Sequence, residues 1–253
     1  MGLTLPWRRR HDRDGPVPRL YAVGDVHGRL DLLEEMIQRI RLDILHHDPR
    51  PARIVILGDF VDRGPQSAQL IALLMRLRKE PGLVVLKGNH EAIMVDALAG
   101  DYAALDLWLA HGGAETLRSF GIDGAAIDSD NGPALLRLAR QIVPKDVRQW
   151  LAQLPTSLHL GRYYLVHAGV RPGVALADQT DESRLWIGRD FLDSDEDHGA
   201  VIVHGHTINE DGVFIGANRI GVDTGAYRTG RLSAVCLEEE VRVLTADGSP
   251  VHG

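Results

Sequence analysis

The sequence predicts an α/β fold in which two β-sheets pack face to face and helices cover their outer sides. Short apolar runs alternate with amphipathic helical stretches in the first part of the chain, a mostly helical segment follows, and short strands return at the end. Alternating strands and helices are typical of parallel sheets with right-handed crossovers. Closely spaced strands separated by turns indicate a second, mixed or antiparallel sheet.

The first part of the chain predicts three strands, each followed by a helix. Strands 20–23, 53–57 and 83–86 alternate with helices 30–45, 66–79 and about 90–98. In the first helix Leu32, Leu33 and Met36 belong to one apolar stripe at helical spacing. The second strand is a continuous apolar run, RIVIL, which is typical of a strand covered on both faces. We therefore expect a parallel sheet here.

The rest of the chain predicts a helical insert and a group of short strands. Residues 101–154 are mostly helical with glycine interruptions, and we interpret them as an insert rather than a separate domain. The later predicted strands, which we assign to the second sheet, are 163–166, 201–203, 213–215, 219–222, 232–237 and 241–244.

Length and composition favour one folded domain. The chain has 253 residues, of which 44% are hydrophobic and 25% charged, and these values are ordinary for a globular protein. We expect a flexible tail over residues 1–18 and a single domain over residues 19–253. The basic run Arg8, Arg9 and Arg10 makes an interaction arm the alternative for the tail.

Charge and cysteine content exclude several classes of partner. No stretch approaches the roughly 20 apolar residues of a membrane span, so we expect no membrane association. The formal net charge of −7 is scattered along the chain, and this argues against nucleic acid as a partner. Cys236 is the single cysteine, so there is no disulfide framework, and we expect a cytoplasmic location.

Five short polar blocks each follow a predicted strand. Three of them, GDVHG at 24–28, GDFVDRG at 58–64 and GNHE at 88–91, lie in the first part of the chain. HAG at 167–169 and HGHT at 204–207 have the same form. Ligand sites of open α/β sheets form beyond the carboxyl ends of the strands, so we expect these blocks to converge on one crevice. A single block such as GDVHG is most often a solvated turn, but five in this arrangement are hard to explain as independent turns.

The polar side chains of these blocks predict a pair of metal ions. Burying so many carboxylates and imidazoles unpaired would be costly, and cations would remove that cost. Carboxylate, imidazole and amide oxygen suit Mn²⁺, Fe or Zn²⁺. Two such ions about 3.5–4 Å apart usually share a bridging carboxylate. The side chains expected to converge are Asp25, His27, Asp59, Asp62, Arg63, Asn89, His90, His167 and either His204 or His206.

The order of the blocks resembles the phosphoprotein phosphatase family of calcineurin-like metallophosphoesterases. GDVHG, GDFVDRG and GNHE match its three signature blocks, and HAG and the GH of HGHT match its later histidine blocks. The resemblance covers about residues 21–237, which is nearly the whole chain. It implies a four-layer α/β/β/α sandwich, in agreement with the two sheets predicted above. It also implies hydrolysis of phosphomonoesters by a hydroxide that two divalent metal ions, most simply Mn²⁺, activate.

The resemblance also implies a role for each matching residue. The first metal site would contain Asp25, His27 and Asp59, and the second would share Asp59 and add Asn89, His167 and His206.

For the reaction itself, the resemblance implies that His90 is the proton donor and Asp62 its orienting partner. Arg63 would contact the substrate phosphate together with Asn89, and Arg189 in the segment LWIGR would be the second phosphate arginine. His206 is two positions after His204, so an extended strand would place both on the same side, and His204 is expected behind the ligands or in the core.

Departures from the family pattern bear on the substrate. The eukaryotic protein phosphatases carry a Ser-Ala-Pro-Asn-Tyr segment where this chain has GVDTGAY, so the chain looks like the small bacterial serine/threonine branch. The related symmetrical dinucleoside tetraphosphatases tend to lack the aspartate matching Asp62 and to read GNHD, so Asp62 and Glu91 favour a protein phosphatase, serine/threonine or dual-specificity. A symmetrical dinucleoside tetraphosphatase, or another hydrolase of small phosphoesters, is the alternative. A non-catalytic metal- or phosphate-binding module is the third hypothesis.

Several further residues receive structural interpretations. Glu91 would cap or brace the helix after Asn89, and Asp223 would hydrogen-bond a ligand histidine or form a plain turn. Trp108 and Trp150 would belong to the core. The histidines outside the blocks would be surface or packing residues, namely His11, His46, His47, His111, His159, His198 and His252.

Overall fold

The structure is a computed structural model that describes residues 3–4, 19–47, 51–80, 82–129 and 131–251. Most of the predicted tail therefore lies outside the described residues, as do His11 and His252. Within that tail, Leu3–Thr4 forms a two-residue strand, β1, that pairs antiparallel with a later strand. The rest of the tail prediction stays a prediction.

Eleven strands form two sheets among the described residues. After β1 the strands are β2 (Arg19–Val23), β3 (Ala52–Ile56), β4 (Leu83–Val85), β5 (Ser157–Leu160), β6 (Tyr163–Val166), β7 (Val201–His204), β8 (Phe214–Ile215), β9 (Arg219–Gly221), β10 (Arg231–Leu237) and β11 (Glu240–Asp247). The first sheet has the order β1-β11-β10-β2-β3-β4 and the second has the order β5-β6-β7-β9-β8. Both are mixed, because β2-β3-β4 and β6-β7-β9 are parallel and the outer pairs are antiparallel.

The helices follow the strands as the apolar spacing predicts. They are α1 (Leu30–His46), α2 (Ser67–Leu77), α3 (Asn89–Ala99), α4 (Tyr102–Trp108), α5 (Ala114–Ser119), α6 (Gly124–Ile127), α7 (Gly132–Ile142), α8 (Lys145–Ala152), α9 (Asp181–Trp186), α10 (Arg189–Leu192) and α11 (Ala226–Thr229). A π-type turn, Leu109–Gly113, joins α4 to α5, and a 3₁₀ turn lies at Leu176–Asp178. No helix in the described part of the chain combines the length and apolarity needed to cross a membrane.

The last two strands correct the sequence prediction. We expected them in the second sheet, but β10 pairs with β2 and β11, and therefore extends the first sheet. All residues of β10 except Arg231 are buried, because α1 covers one face of the strand and the second sheet covers the other. Such a strand shows no alternation that would reveal its partner, so only the tertiary structure identifies its sheet.

Three apolar clusters define the layers. Leu20, Ala22 and Val55 from the first sheet meet Leu165 and Val203 from the second between the two sheets. A larger cluster fills the space between the first sheet and α1, α2 and α3 and also takes in the helical insert. A third cluster, centred on Phe191 of α10, covers the outer face of the second sheet. The predicted α/β/β/α sandwich is confirmed, and each fully buried large side chain adds about 1.5–3 kcal/mol to its stability.

Candidate metal centre and proton-transfer site

The five polar blocks lie beyond the carboxyl ends of five strands in the two sheets. Asp25, Asp59 and Asn89 follow β2, β3 and β4, while His167 and His206 follow β6 and β7. These strands run parallel within each sheet, so their carboxyl ends bring the side chains to one edge of the sandwich. The convergence that the sequence predicts is therefore present.

Unusual backbone conformations are concentrated in these loops. Among the described residues, every non-glycine residue with positive φ belongs to the site: His27 (43°), Asp59 (46°), Asp62 (70°), Arg63 (66°) and His206 (63°). The left-handed region costs L-residues about 1–3 kcal/mol each, and such residues cluster where geometry matters for function. The loops are thus shaped for the orientation of their side chains rather than for local stability.

Two histidines are fixed by backbone carbonyls so that one ring nitrogen faces Asp59. The Nδ1–H of His27 donates to the carbonyl of Val61 at 2.8 Å, and that of His167 donates to the carbonyl of Leu57 at 3.0 Å. The remaining Nε2 atoms of His27 and His167 lie 3.7 Å and 3.4 Å from Asp59 Oδ2. A ligand histidine is typically oriented in this way by a partner on its other nitrogen.

The side-chain amide oxygen of Asn89 lies close to the ring nitrogens of His167 and His206. Its Oδ1 atom lies 2.8 Å from His167 Nε2 and 3.1 Å from His206 Nδ1, and these two nitrogens are 3.2 Å apart. With Nδ1 of His167 already donating, Nε2 of the neutral ring presents a lone pair, as does the amide oxygen. Lone pairs that face one another at this distance repel unless a cation or an added proton lies between them.

Asp25 lies beside the same cluster, next to the backbone of His206. Its carboxylate accepts the backbone N–H of His206 at 3.1 Å and 3.2 Å. Burial raises the pKa of Asp25 well above its usual value, and the nearby charges of Asp223 and Asp59 add to this. Without a cation, therefore, the carboxylate of Asp25 is an unfavourable buried charge.

The pKa shifts of Asp59 and His167 show that the buried carboxylates of the cluster favour a nearby positive charge. Burial by itself raises the pKa of Asp59, but His167, His90 and His27 lower it well below its usual value. Burial lowers the pKa of His167, yet the carboxylates of Asp59, Asp25 and Glu91 outweigh burial and raise it to about 10. In the metal-free site, a proton on His167 would supply the positive charge that the carboxylates favour.

Two overlapping groups of ligand-type side chains share Asp59. One group is His27, Asp59 and His90, and the other is Asp59, His167 and His206. Within each group, the ligand-type nitrogen and oxygen atoms lie within 4.8 Å of one another. The donor set is imidazole, carboxylate and amide oxygen, with no thiolate among the described residues of the site, and it suits Mn²⁺, Fe or Zn²⁺. The residues present thus fit divalent cations, and Asp59 would belong to the ligands of both groups.

Glu91 braces the loops instead of adding a ligand. Its carboxylate accepts four backbone N–H groups, from Asp59, Phe60, Val61 and Gly88, at 2.8–3.1 Å. Burial raises its pKa to about 7. The interpretation of Glu91 as a cap and brace is confirmed, since one side chain ties the loop after β3 to the start of α3.

A second polar network adjoins the ligand cluster at His90. The Nδ1–H of His90 donates to Asp62 Oδ2 at 2.7 Å, and Nε2 lies 3.9 Å from Asp59 Oδ2. Burial lowers the pKa of His90, but the negative charges of Asp59 and Asp62 outweigh burial and raise it above its usual value. A protonated His90 at the edge of the cluster can act as a general acid.

Arg63 lies between the two networks. Its Nη1 and Nη2 atoms are each 3.2 Å from a ring Nε2, that of His27 and that of His90 respectively. The guanidinium stacks 4.6 Å from the ring centroid of Tyr227 and forms no ion pair with the described residues. An arginine held by flanking groups but without a carboxylate partner is suited to bind a phosphate.

Arg189 does not join this group. It begins α10, and its side chain is exposed and makes no hydrogen bond or ion pair with the described residues. Its predicted contact with phosphate therefore stays a prediction that the observed contacts do not support.

The structure changes the predicted geometry of His204 and His206, and it decides between the two interpretations of Asp223. We expected both histidines of HGHT on one side of an extended strand, but β7 ends at His204, and His206 has φ of 63°. His204 is instead buried with its ring 5.1 Å from that of Phe191, which agrees with the predicted core position. Asp223 accepts the N–H of Gly225 at 2.8 Å and so forms the turn rather than bonding a ligand histidine.

Sequence reasoning missed three residues that contact the site. Trp108 is buried as predicted, but its indole N–H also donates to Asp62 Oδ1 at 2.8 Å. Thr116 donates to the same oxygen at 2.6 Å, and Tyr227 contacts both Arg63 and His27. Trp108 and Thr116 come from the helical insert, where spacing along the chain indicates nothing about Asp62.

The fold and the polar cluster together define a metallophosphoesterase-like protein. The chain belongs to the calcineurin-like phosphoesterase family, whose sequence model matches residues 18–235. Members of this family use divalent metal ions, and the Asp59-centred cluster is where this chain brings suitable ligands together.

The relatives include two kinds of phosphatase. The chain is 35% identical over 94 residues, 37% of this chain and 38% of the relative, to serine/threonine-protein phosphatase 1 of Salmonella typhimurium. It is 28% identical over 152 residues, 60% of this chain and 44% of the relative, to the symmetrical bis(5'-nucleosyl)-tetraphosphatase of Dechloromonas aromatica. The matched stretches thus span less than half the length of these relatives.

A solved structure confirms the fold over nearly the full length. The crystal structure of a protein proposed to be a diadenosine tetraphosphatase matches with a TM-score of 0.59 and 22% identity, and the match covers 92% of this chain and 95% of that one. At this identity the likeness concerns the fold alone.

Proposed function

We propose that this protein is a metal-dependent phosphomonoesterase whose main substrates are phosphoserine and phosphothreonine proteins, with dual specificity as the broader form. The observation that carries the proposal is the set of facing lone pairs around Asp59, adjacent to the His90–Asp62 pair and Arg63. A cluster of this kind can bind cations, a phosphate and a leaving group side by side.

The proposed ligands take Asp59, His27, His167 and His206 from the two groups that share Asp59, add Asp25 and Asn89 beside them, and leave His90 as the proton donor. Asp25, His27 and Asp59 would hold one ion, and Asp59, Asn89, His167 and His206 would hold the other. Mn²⁺ is the proposed metal, with Fe or Zn²⁺ as alternatives that the same donors accept. When bound, the two ions would supply a water molecule of lowered pKa as the nucleophile.

The remaining residues would bind the phosphate and move a proton. Arg63 binds the phosphate oxygens through its two terminal nitrogens, and Asn89 lies beside them. His90 delivers a proton from Nε2 to the ester oxygen of the leaving serine or threonine, which is a poor leaving group without it. Asp62 accepts the Nδ1–H of His90 and so fixes the ring and favours its charged form. Arg189 stays the sequence-based candidate for a second phosphate arginine, although its exposed side chain lies outside the contacts of the site.

A symmetrical dinucleoside tetraphosphatase is the second candidate. The relative from Dechloromonas aromatica matches a longer stretch of this chain than the Salmonella phosphatase does, 152 residues against 94. The complete His90–Asp62 pair supports the protein phosphatase instead, because a proton donor matters most for an alkoxide leaving group. The proposed partners are a phosphorylated protein or a small phosphoester, and the cytoplasmic location stays a prediction from the sequence.

A substrate panel on metal-loaded protein tests the proposal. The purified chain is saturated with Mn²⁺, its metal content is measured, and kcat/KM is determined for phosphoserine, phosphothreonine and phosphotyrosine peptides, diadenosine tetraphosphate and p-nitrophenyl phosphate. We expect two ions per chain and the highest kcat/KM for the phosphoserine or phosphothreonine peptide. Preference for diadenosine tetraphosphate would select the second candidate. No turnover of any ester would leave only the non-catalytic binding module.

A further inference from the structure

Asp62 uses both of its carboxylate oxygens and is fully buried. Oδ2 accepts the Nδ1–H of His90 at 2.7 Å. Oδ1 accepts the indole N–H of Trp108 at 2.8 Å and the hydroxyl of Thr116 at 2.6 Å. The exposed fraction of Asp62 is 0%, so the protein itself supplies the hydrogen bonds of its carboxylate.

Both donors to Oδ1 belong to the helical insert. Trp108 is the last residue of α4 and Thr116 lies in the first turn of α5. The π-type turn between them, with Gly112 at φ 97°, brings the two side chains to the same oxygen. A Cβ atom on Gly113 would lie 2.5 Å from Trp108 Cδ1, so the indole packs directly on the backbone of this turn.

The insert also holds the backbone that carries Asp62 and Arg63. The N–H of Asp62 donates to Thr116 Oγ1 at 2.9 Å and to Ser67 Oγ at 3.0 Å. The N–H of Arg63 donates to the carbonyl of Gly112 at 3.1 Å. Asp62 and Arg63 both have positive φ, so these bonds stabilise a backbone conformation that the two residues would otherwise avoid.

The contacts restrict how the carboxylate can turn. A carboxylate with one free oxygen can rotate about χ2 and present either oxygen, or neither, to the imidazole. Two donors on Oδ1 fix the plane of the carboxylate and leave Oδ2 facing His90. The ring of His90 is then held with Nε2 towards Asp59 and Arg63, where the ester oxygen of a substrate would lie.

We propose that Trp108 and Thr116 are positioning residues for the proton donor, and that the helical insert serves the reaction by fixing the Asp62–His90 pair. This inference rests on the proposed phosphomonoesterase function. It assigns the insert a part in leaving-group protonation, separate from any part in recognising the substrate. Loss of either donor should therefore slow esters that need a proton and spare those that do not.

Two pairs of variants test this. Trp108→Phe removes the N–H and keeps a ring, and Trp150→Phe is its control, because Trp150 is buried against Phe60 in the same apolar cluster without touching Asp62. Thr116→Val removes the hydroxyl, and Thr116→Ser restores it. For each protein we would measure bound Mn²⁺, urea unfolding, and kcat and KM for a phosphoserine peptide and p-nitrophenyl phosphate.

Trp108→Phe and Thr116→Val should each lower kcat for the phosphoserine peptide by about 10- to 100-fold, within the range that a general acid contributes. Kcat for p-nitrophenyl phosphate should fall less than about threefold, since p-nitrophenolate leaves without a proton. KM and the content of two ions should be unchanged. Thr116→Ser should recover most of the activity, and Trp150→Phe should affect both substrates alike.

An equal fall for both substrates, or no fall for either, would overturn the inference and leave Trp108 and Thr116 as packing residues only. The two variants remove different donors from one oxygen, so if one fails to fold the other still gives the result. Turnover by the unmodified protein is read separately. Its absence for every ester would reject the proposed function, and the inference would be rejected with it.

Discussion

The ligand cluster around Asp59 and the network around Asp62 are neighbours with opposite hydrogen-bonding patterns. Around Asp59, acceptors face acceptors: Nε2 of His167 lies 2.8 Å from the amide oxygen of Asn89 and 3.4 Å from the carboxylate of Asp59. Around Asp62, every close contact joins a donor to an acceptor, from the indole of Trp108 to the ring of His90. The first arrangement requires added positive charge, whereas the second is complete within the polypeptide.

Because of this difference, the Asp62 network can form on folding alone, whereas the Asp59 cluster also needs a cation or a proton. A complete hydrogen-bond network is stabilised by folding alone, because each buried polar group has its partner. A group of facing lone pairs is destabilising until a cation or proton enters. We therefore expect cation binding to stabilise the ligand cluster strongly and to leave the Asp62 network almost unchanged.

Asp59→Asn should have the largest effect, because Asp59 belongs to both ligand groups. The amide keeps the shape but removes the negative charge that would bridge the ions. We expect loss of bound Mn²⁺, measured by elemental analysis, and a fall in kcat/KM of about 10³-fold or more, as losing several kcal/mol of transition-state stabilisation implies.

The matched control for Asp59→Asn is Asp31→Asn. Asp31 is half-exposed on α1 and pairs with Arg29 outside the cluster. It should keep both ions and full activity. Retention of two ions by the Asp59 variant would show that the facing acceptors do not form the metal site.

His90→Asn should have the next largest effect, and it should disrupt the Asp62 network without disrupting metal binding at the Asp59 cluster. It removes the proton donor but leaves all of the proposed metal ligands in place, so the content of two ions should be kept. We expect kcat for a phosphoserine peptide to fall by about 10²- to 10⁴-fold, and kcat for p-nitrophenyl phosphate to fall far less. Unchanged turnover of the peptide would contradict the general-acid role of His90.

The sequence predicted the ligand cluster far better than the Asp62 network. Asp25, Asp59, Asn89, His167 and His206 each follow a strand, and parallel strands place such residues at one edge whatever the details of packing. The position of a residue along the chain therefore carried the information. The same logic explains why the order of strands and helices in the first part of the chain was predicted well.

Residues that depend on tertiary packing were not predictable in this way. Trp108 and Thr116 are 46 and 54 positions from Asp62 in the chain, and nothing in their local pattern distinguishes them from core residues. The membership of β10 in the first sheet and the exposed position of Arg189 are of the same kind. In each case the partner is chosen by how helices and sheets stack, which a single sequence does not display.

Gly112→Ala should have an intermediate effect at the boundary of the two regions. A Cβ atom at this position would lie 2.8 Å from both the backbone N and Cγ of Arg63, so Arg63 must move. A small misplacement of a positioning group costs up to about 10²-fold, and we expect kcat/KM to fall by about 10- to 100-fold with both ions retained.

Gly121→Ala is the control for the backbone strain in Gly112→Ala. Gly121 has a similar positive φ of 92°, but a Cβ atom there would meet nothing within 4 Å. Both variants should lose a similar free energy of unfolding from strain, while only Gly112→Ala should lose activity. Equal activity of the two variants would show that the turn of the insert does not fix Arg63.

Arg189→Ala should have the smallest effect and asks whether the site is complete without a second arginine. The guanidinium of Arg189 is exposed, and an exposed charge contributes about 0.2–1 kcal/mol, so KM for a phosphopeptide should rise at most about fivefold. Arg78→Ala, at the exposed end of α2, is the control for a general loss of positive charge.

Arg63→Ala should raise KM by far more, because Arg63 stands fixed between His27 and His90. A rise for Arg189→Ala as large as that for Arg63→Ala would mean that α10 moves towards bound substrate, and that part of the phosphate site forms only when the phosphate is present.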